Sequence, residues 1–123
     1  MKKRVLVVDD EQMVADTLGI IFQRRGFECR VSYTGAEALA CPQDFCPELL
    51  LCDMSMPGMN GMELAWNVTQ RWPECRVLML TGNFANLGTA RKWARTHPAP
   101  SRIMTKPIPP ALLLEEVEAL LHD

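Results

Sequence analysis

The chain has 123 residues, 48% apolar and 23% charged, with a formal net charge of −2. That is the length of one domain, able to bury roughly two-thirds of its unfolded surface, and no apolar run approaches the roughly 20 residues of a membrane span. The only basic run is Lys2-Lys3-Arg4, so nucleic-acid binding is not indicated.

Arg4-Val5-Leu6-Val7-Val8 imitates the start of a signal peptide, but two acids, Asp9 and Asp10, end the apolar part at once. A cytosolic location is expected. The run reads instead as a central strand. A helix follows, with Val14, Leu18, Ile21 and Phe22 on one face. Asp10 or Glu11 suits its positive end, and Arg24-Arg25 before Gly26 makes a stop. Glu28–Ser32 alternates weakly and predicts a second, less buried strand. Thr34-Gly35-Ala36-Glu37 has capping-box spacing, and the short helix it opens must end before Pro42.

Leu49-Leu50-Leu51-Cys52-Asp53 is an apolar run closed by an acid, predicting a strand buried on both faces. Met54-Ser55-Met56-Pro57-Gly58 forms the loop after it. Asn60 and Glu63 open the next helix, with Leu64, Ala65, Val68 and Trp72 as its stripe and Pro73 at its end. Arg76–Leu80 is another buried strand, running into Thr81-Gly82-Asn83. Phe84–Thr96 is harder to read: Leu87, Ala90 and Ala94 have helical spacing, but Gly88 weakens it. Ser101–Thr105 is a short strand before Lys106-Pro107. Pro109-Pro110 fits the opening of a last helix carrying Leu113, Val117, Leu120 and Leu121.

Five βα units in one compact chain argue an α/β fold, a parallel sheet with helices on both faces. The five cysteines (Cys29, Cys41, Cys46, Cys52 and Cys75) are odd in number and form no C-x-x-C pair. They read as reduced thiols used as small apolar residues. Cys41 and Cys46 are a poor metal motif without a His or a second pair. Met54, Met56, Met59 and Met62 cluster around one loop and read as loop packing, with an adaptable partner surface as the alternative.

In a parallel sheet all C-terminal strand ends share one edge. Asp9-Asp10, Asp53, Thr81 and Lys106 therefore converge. Separately each has an ordinary reading: helix cap, turn former or solvated charge. Together, three carboxylates at one edge repel and require a cation. Oxygen donors without a nearby His suit Mg²⁺ and not Zn²⁺. Such a site can bind a phosphoryl group, and a carboxylate can serve as its nucleophile. Mg²⁺ would bridge Asp53 and one phosphoryl oxygen, Lys106 would neutralise a second, and the Thr81 hydroxyl would donate to a third.

Val5–Glu11, the Asp53-x-x-Met56-Pro57-Gly58-x-x-Gly61 run, Thr81-Gly82 and Lys106-Pro107 together resemble the CheY-like receiver domain of bacterial two-component response regulators. The resemblance covers residues 1–123 as one domain. It implies a flavodoxin-like, doubly wound five-stranded sheet of order 2-1-3-4-5 with five helices. It implies that Asp53 accepts a phosphoryl group from a sensor histidine kinase or a phosphotransfer protein. It implies Mg²⁺ on Asp10, Asp53 and the Ser55 backbone carbonyl, with Asp9 helping through water, and a cis Lys106–Pro107 bond. Such a chain is no enzyme in the ordinary sense; it promotes its own phosphorylation and dephosphorylation, and it passes the signal on by changed protein contacts with an output partner.

One position departs. Similar domains carry an aromatic residue three positions before the lysine, where this chain has Ile103, so atypical coupling is expected beside intact phosphorylation chemistry. Ser55 and Asn83 are small and polar beside the path of the attacking water, so an aspartyl phosphate lasting minutes is expected. Two other functions compete. A phosphorylation-independent interaction module would keep the fold, and only Ile103 favours it. An aspartate-nucleophile phosphatase would need a second Asp at position 55 and a cap. Whether the chain acts alone or within a longer protein is left open.

Overall fold

A computed structural model describes residues 2–83, 85 and 87–122. The strands are β1 (Arg4–Val8), β2 (Glu28–Ser32), β3 (Leu49–Asp53), β4 (Arg76–Thr81) and β5 (Ser101–Thr105). The helices are α1 (Gln12–Arg24), α2 (Gly35–Leu39), α3 (Gly61–Arg71), α4 (Leu87–Thr96) and α5 (Pro110–Leu121), with a short 3-10 turn at Gln43–Phe45. All neighbouring strands pair in parallel, in the order β2-β1-β3-β4-β5. This is the flavodoxin-like arrangement.

The period-two alternation of strand side chains divides the interior into two cores. Leu6, Val8, Leu50, Cys52, Val77 and Met79 face one side and pack with residues of α2 and α3. Val5, Val7, Leu49, Leu51, Leu78 and Leu80 face the other and pack with α1 and α5. The three inner strands are therefore apolar on both faces, which is why they read as continuous runs. The outer strands β2 and β5 are partly exposed, as edge strands are.

Helix α1 turns the expected face to the core: Phe22 is buried and Leu18 and Ile21 pack half-buried against it, with Ala15 and Gly19 as further buried positions. A Cβ at Gly19 would lie 2.6 Å from Val31 Cγ2, so α1 rests directly on β2. The helix ends at Gly26, whose φ is +88°. At the start of α2, Thr34 Oγ1 accepts from the Glu37 N–H at 3.1 Å, but Glu37 returns its carboxylate to Tyr33 N–H and not to Thr34. The complete capping box belongs to α3, where Asn60 and Glu63 bond reciprocally.

The stretch that was hard to read is a helix in spite of Gly88, with Phe84 and Asn86 outside the described residues. Tertiary contacts supply what propensity lacks. Ala90 is buried and Trp93 packs against the core. The His97 ring stacks on Trp93, centroids 4.5 Å apart. Its Nδ1 accepts the Ala99 N–H at 3.2 Å, which leaves Nε2 to donate to Thr69 Oγ1 at 3.3 Å. The Thr69 hydroxyl in turn donates a hydrogen bond to Ala65 O at 2.8 Å. The end of α4 is thereby fastened to α3.

The five cysteines are free thiols. Burial pushes the Cys29 thiol up to about 11 and the Cys75 thiol up to about 12. Cys41 and Cys46 each donate to a backbone carbonyl, of Pro42 and Gln43 respectively. Among the described residues they join no group of potential metal ligands. Met54 and Met56 are buried, and Met59 and Met62 pack against the same core, so the methionine cluster is packing.

Arg71 holds α2 to α3. Its guanidinium donates to Leu39 O, to Cys41 O at 2.7 Å and to Gln43 Oε1 at 2.6 Å. It also lies over the Trp72 ring at 4.3 Å. Arg71→Met keeps the stem but leaves half-buried carbonyls without donors, so a loss of about 2 kcal/mol is expected in urea unfolding with an unchanged slope. An unshifted midpoint would show that water replaces the guanidinium without cost.

Candidate functional site

The parallel topology brings the strand ends together as required. Asp9 follows β1, Asp53 closes β3, Thr81 closes β4 and Lys106 follows β5. Asp9 and Thr81 are almost fully buried, at 1% exposure each, and Asp53 is 8% exposed. Lys106 Nζ donates to Asp53 Oδ2 at 2.8 Å and to Asp9 Oδ2 at 3.0 Å. The other oxygens of these carboxylates are also held. Asp53 Oδ1 accepts the Ser55 N–H and Asp9 Oδ1 accepts the Glu11 N–H, both at 3.0 Å. Each acid thus turns its own loop while it faces the ammonium. Glu11 is at the start of α1 but makes no side-chain cap; the carboxylate that orders that start is Asp9.

Asp10 is exposed, and a carboxylate oxygen from each of Asp9, Asp10 and Asp53 lies within 4.8 Å of the others. One ammonium against three carboxylates leaves an excess of negative charge at the sheet edge. The donors available are hard oxygens, two buried and one open to solvent, which is a set suited to Mg²⁺. The Ser55 N–H is taken by Asp53, while its carbonyl accepts no hydrogen bond among the described residues.

Thr81 stands beside the cluster but is not bonded to it. Its hydroxyl donates to Asn83 O at 3.3 Å and accepts the Asn83 N–H at 3.2 Å. Its carbonyl accepts the Lys106 N–H at 2.8 Å, which ties the β4 and β5 ends. The Lys106–Pro107 bond is cis, as the resemblance implied. The Asn83 side chain caps the next turn through the Ala85 N–H at 2.9 Å. Ser55 and Asn83 are both exposed at the rim.

Gly61 is a residue whose local reason the sequence did not reveal. A Cβ there would lie 2.9 Å from Met54 Cα and closer still to the Asp53 carbonyl oxygen. The first residue of α3 therefore packs backbone against backbone on the segment that carries Asp53, and only glycine permits it.

A five-stranded parallel sheet with a buried acid pocket and a lysine at its C-terminal edge defines a receiver-type switch domain. The chain belongs to the response regulator receiver domain family, whose model matches residues 5–118. Among curated proteins it is similar to the DNA-binding response regulator MtrA of Mycolicibacterium smegmatis, 37% identical over 78 residues, covering 63% of this chain and 30% of that protein. The Regulator of RpoS of Escherichia coli is 33% identical over 90 residues, 72% of this chain and 27% of that protein. The chain thus spans less than a third of the length of these relatives. Among solved structures, a CheY-like receiver domain from Methanospirillum hungatei superposes with a TM-score of 0.86 at 30% identity, covering 98% of this chain and 94% of that one. Chemotaxis protein CheY4 of Vibrio cholerae superposes with a TM-score of 0.87 at 25% identity, covering 98% and 99%.

The ion pairs have a pH signature. Burial pulls the Lys106 ammonium down, but the hydrogen bonds and charges of Asp53 and Asp9 outweigh it and raise its pKa above the usual 10.5. A cation with a raised folded pKa stabilises fully below its unfolded pKa and loses that contribution as pH rises through the folded value. Unfolding followed from neutral pH into the alkaline range should therefore show stability falling above about pH 10, where lysine titrates. Lys106→Met should remove that component of the slope; a variant with the full alkaline slope would locate its origin elsewhere.

Proposed function

We propose that Asp53 is the phosphoryl acceptor of a Mg²⁺-dependent two-component switch. The observation that carries this reading is the Lys106 ammonium held between Asp53 and Asp9, with Asp10 close by. An Asp53 carboxylate oxygen attacks the phosphorus of a phosphohistidine. An O–P bond forms, the donor's N–P bond breaks, and the electron pair stays on the imidazole nitrogen. Asp10, Asp53 and the Ser55 carbonyl would hold Mg²⁺, with Asp9 acting through water; bound there, the ion supplies charge neutralisation for the phosphoryl oxygens. Lys106 neutralises a further oxygen. The Thr81 hydroxyl, bonded only within its own turn, is available to donate to another once it leaves Asn83. The same residues serve the hydrolysis that resets the switch.

A groove of about 310 Å³ offers the donor a seat. It is lined by Met13, Val14, Leu18, Ile108 and Pro110, with Met13 84% exposed. Its walls continue directly from the loops that carry Asp10 and Lys106. A histidine kinase or phosphotransfer helix with an apolar face would fit there. The phosphorylation-independent module is disfavoured because the full set of Asp9, Asp10, Asp53, Thr81 and Lys106 is present at one sheet edge, where three carboxylates against one ammonium leave negative charge that the fold itself does not require. Location in the cytosol, where such kinases present their phosphohistidine, belongs to the same reading; no helix of the described residues is long and apolar enough to cross a membrane.

Acetyl phosphate with Mg²⁺ should add one phosphoryl mass, and Asp53→Asn should abolish it. Absence of the adduct with acetyl phosphate and with a kinase would overturn the proposal in favour of the module. In the same time course the adduct should decay within minutes, since Ser55 and Asn83 leave the water path open; an adduct stable overnight would refute that part.

Ile103 lies three positions before Lys106 and packs half-buried against the core. It cannot swing a ring inward, so coupling to α4 and β5 is atypical. Backbone NMR with a beryllofluoride phosphoryl mimic should show shifts that fade beyond the site loops. Large shifts across residues 84–108 would contradict this.

A further inference from the structure

Gly35 is the first residue of α2 and is buried, and its φ is not left-handed. Alanine favours a helix over glycine at such a position, so the backbone does not call for glycine. A neighbour does. A Cβ on Gly35 would lie 2.8 Å from Met59 Sδ, 3.0 Å from Met59 Cβ and 3.2 Å from Met59 Cγ. Met59 is half-buried in the loop after β3, one residue before Asn60, the N-cap of α3. A residue in that position commonly packs back on its own helix; the Met59 side chain reaches the start of a different one. Asn67 of α3 also approaches it, with Nδ2 3.9 Å from Sδ.

This contact joins two segments that border the acid pocket. On one side, Ser32 O accepts the Asp9 N–H at 3.2 Å, and the chain runs from Ser32 through Tyr33 and Thr34 into Gly35. On the other, Asp53 Oδ1 accepts the Ser55 N–H, and the chain runs from Ser55 through the left-handed turn at Gly58 to Met59. Lys106 Nζ ties Asp9 to Asp53. The packing of Met59 on Gly35 therefore closes a circuit around the pocket. We propose that Met59, seated on Gly35, is a positioning residue for the acid pocket: it sets the spacing between the segment that holds Asp9 and the loop that carries Ser55. The inference rests on the proposed switch only for the ion that this spacing serves.

The test is a cycle of variants of the full chain. Gly35→Ala presses a methyl against the thioether, and Met59→Ala takes the thioether away. Each should bind Mn²⁺, a spectroscopic probe for the Mg²⁺ site followed by EPR, about 10-fold more weakly, the size typical of losing a group that orients metal ligands. In Gly35→Ala/Met59→Ala the new methyl no longer meets Sδ or Cγ, so the double variant should lose no more than either single one. Met59→Leu, of similar volume, should bind like the parent. Arg71→Met, which loosens α2 and α3 away from the pocket, should also bind like the parent, separating positioning from stability. In the metal-free chain, backbone NMR of Gly35→Ala should shift the amides of both Ser55 and Asp9. Parent-like affinity in both single variants, additive losses in the double one, or unmoved Ser55 and Asp9 amides would overturn the proposal. So would an equal loss of affinity in Arg71→Met. If the parent takes up no Mn²⁺, the ion of the switch is refuted and the metal-free amides alone decide this proposal. A missing phosphoryl adduct beside an intact cycle strikes only the phosphorylation reading.

Discussion

The ammonium of Lys106 is the constraint around which the molecule is arranged. Two carboxylates, Asp9 and Asp53, are almost entirely withdrawn from water and lie on adjacent strands. Withdrawn charges are tolerated only when they are paired and their remaining lone pairs are bonded. One Nζ reaches both, and backbone N–H groups of Ser55 and Glu11 occupy the other two oxygens. The three contributing segments come from opposite ends and the middle of the chain. A parallel sheet is what allows this, because every strand delivers its C-terminal residue to the same edge.

Holding that edge in place is the work of the apolar interior. β1, β3 and β4 are buried on both faces, so a shift of one strand past another would misplace a whole set of side chains. The Asp53 segment is fixed from three directions. The Met54 N–H donates to Leu80 O at 2.8 Å, the Gly61 N–H donates to Met54 O at 3.0 Å, and the Gly61 backbone presses against it. The acid pocket is thus a feature of the core's rim and not of a free loop. Thr81 has more latitude, since its hydroxyl bonds only within its own turn.

Much of this could be read from the residues. The βα alternation, the five strands and the convergence of Asp9, Asp10, Asp53, Thr81 and Lys106 all follow from local pattern plus the geometry of parallel sheets. The fold class and strand ends were legible because period-two and period-3.6 patterns are written in side-chain polarity. What was not legible depends on contacts between distant segments. The close seat of α1 on β2, where Gly19 meets Val31, is a fact of packing between elements. α4 is helical because Ala90, Trp93 and His97 find partners on other elements, against the local preference of Gly88. The Arg71 clamp joins residues from different elements, and no spacing in the chain marks it. Thr81 was placed correctly at the edge, but its hydrogen bonds are those of a turn.

The His97 fastening gives α4 a mechanical character. Its C-terminal end is joined to α3 through Thr69 and to the approach of β5 through Ala99. Its N-terminal end connects to β4 through the turn that holds Thr81. Two separate elements thus meet at one imidazole, and the buried Ala90 seats the middle of α4 on the core.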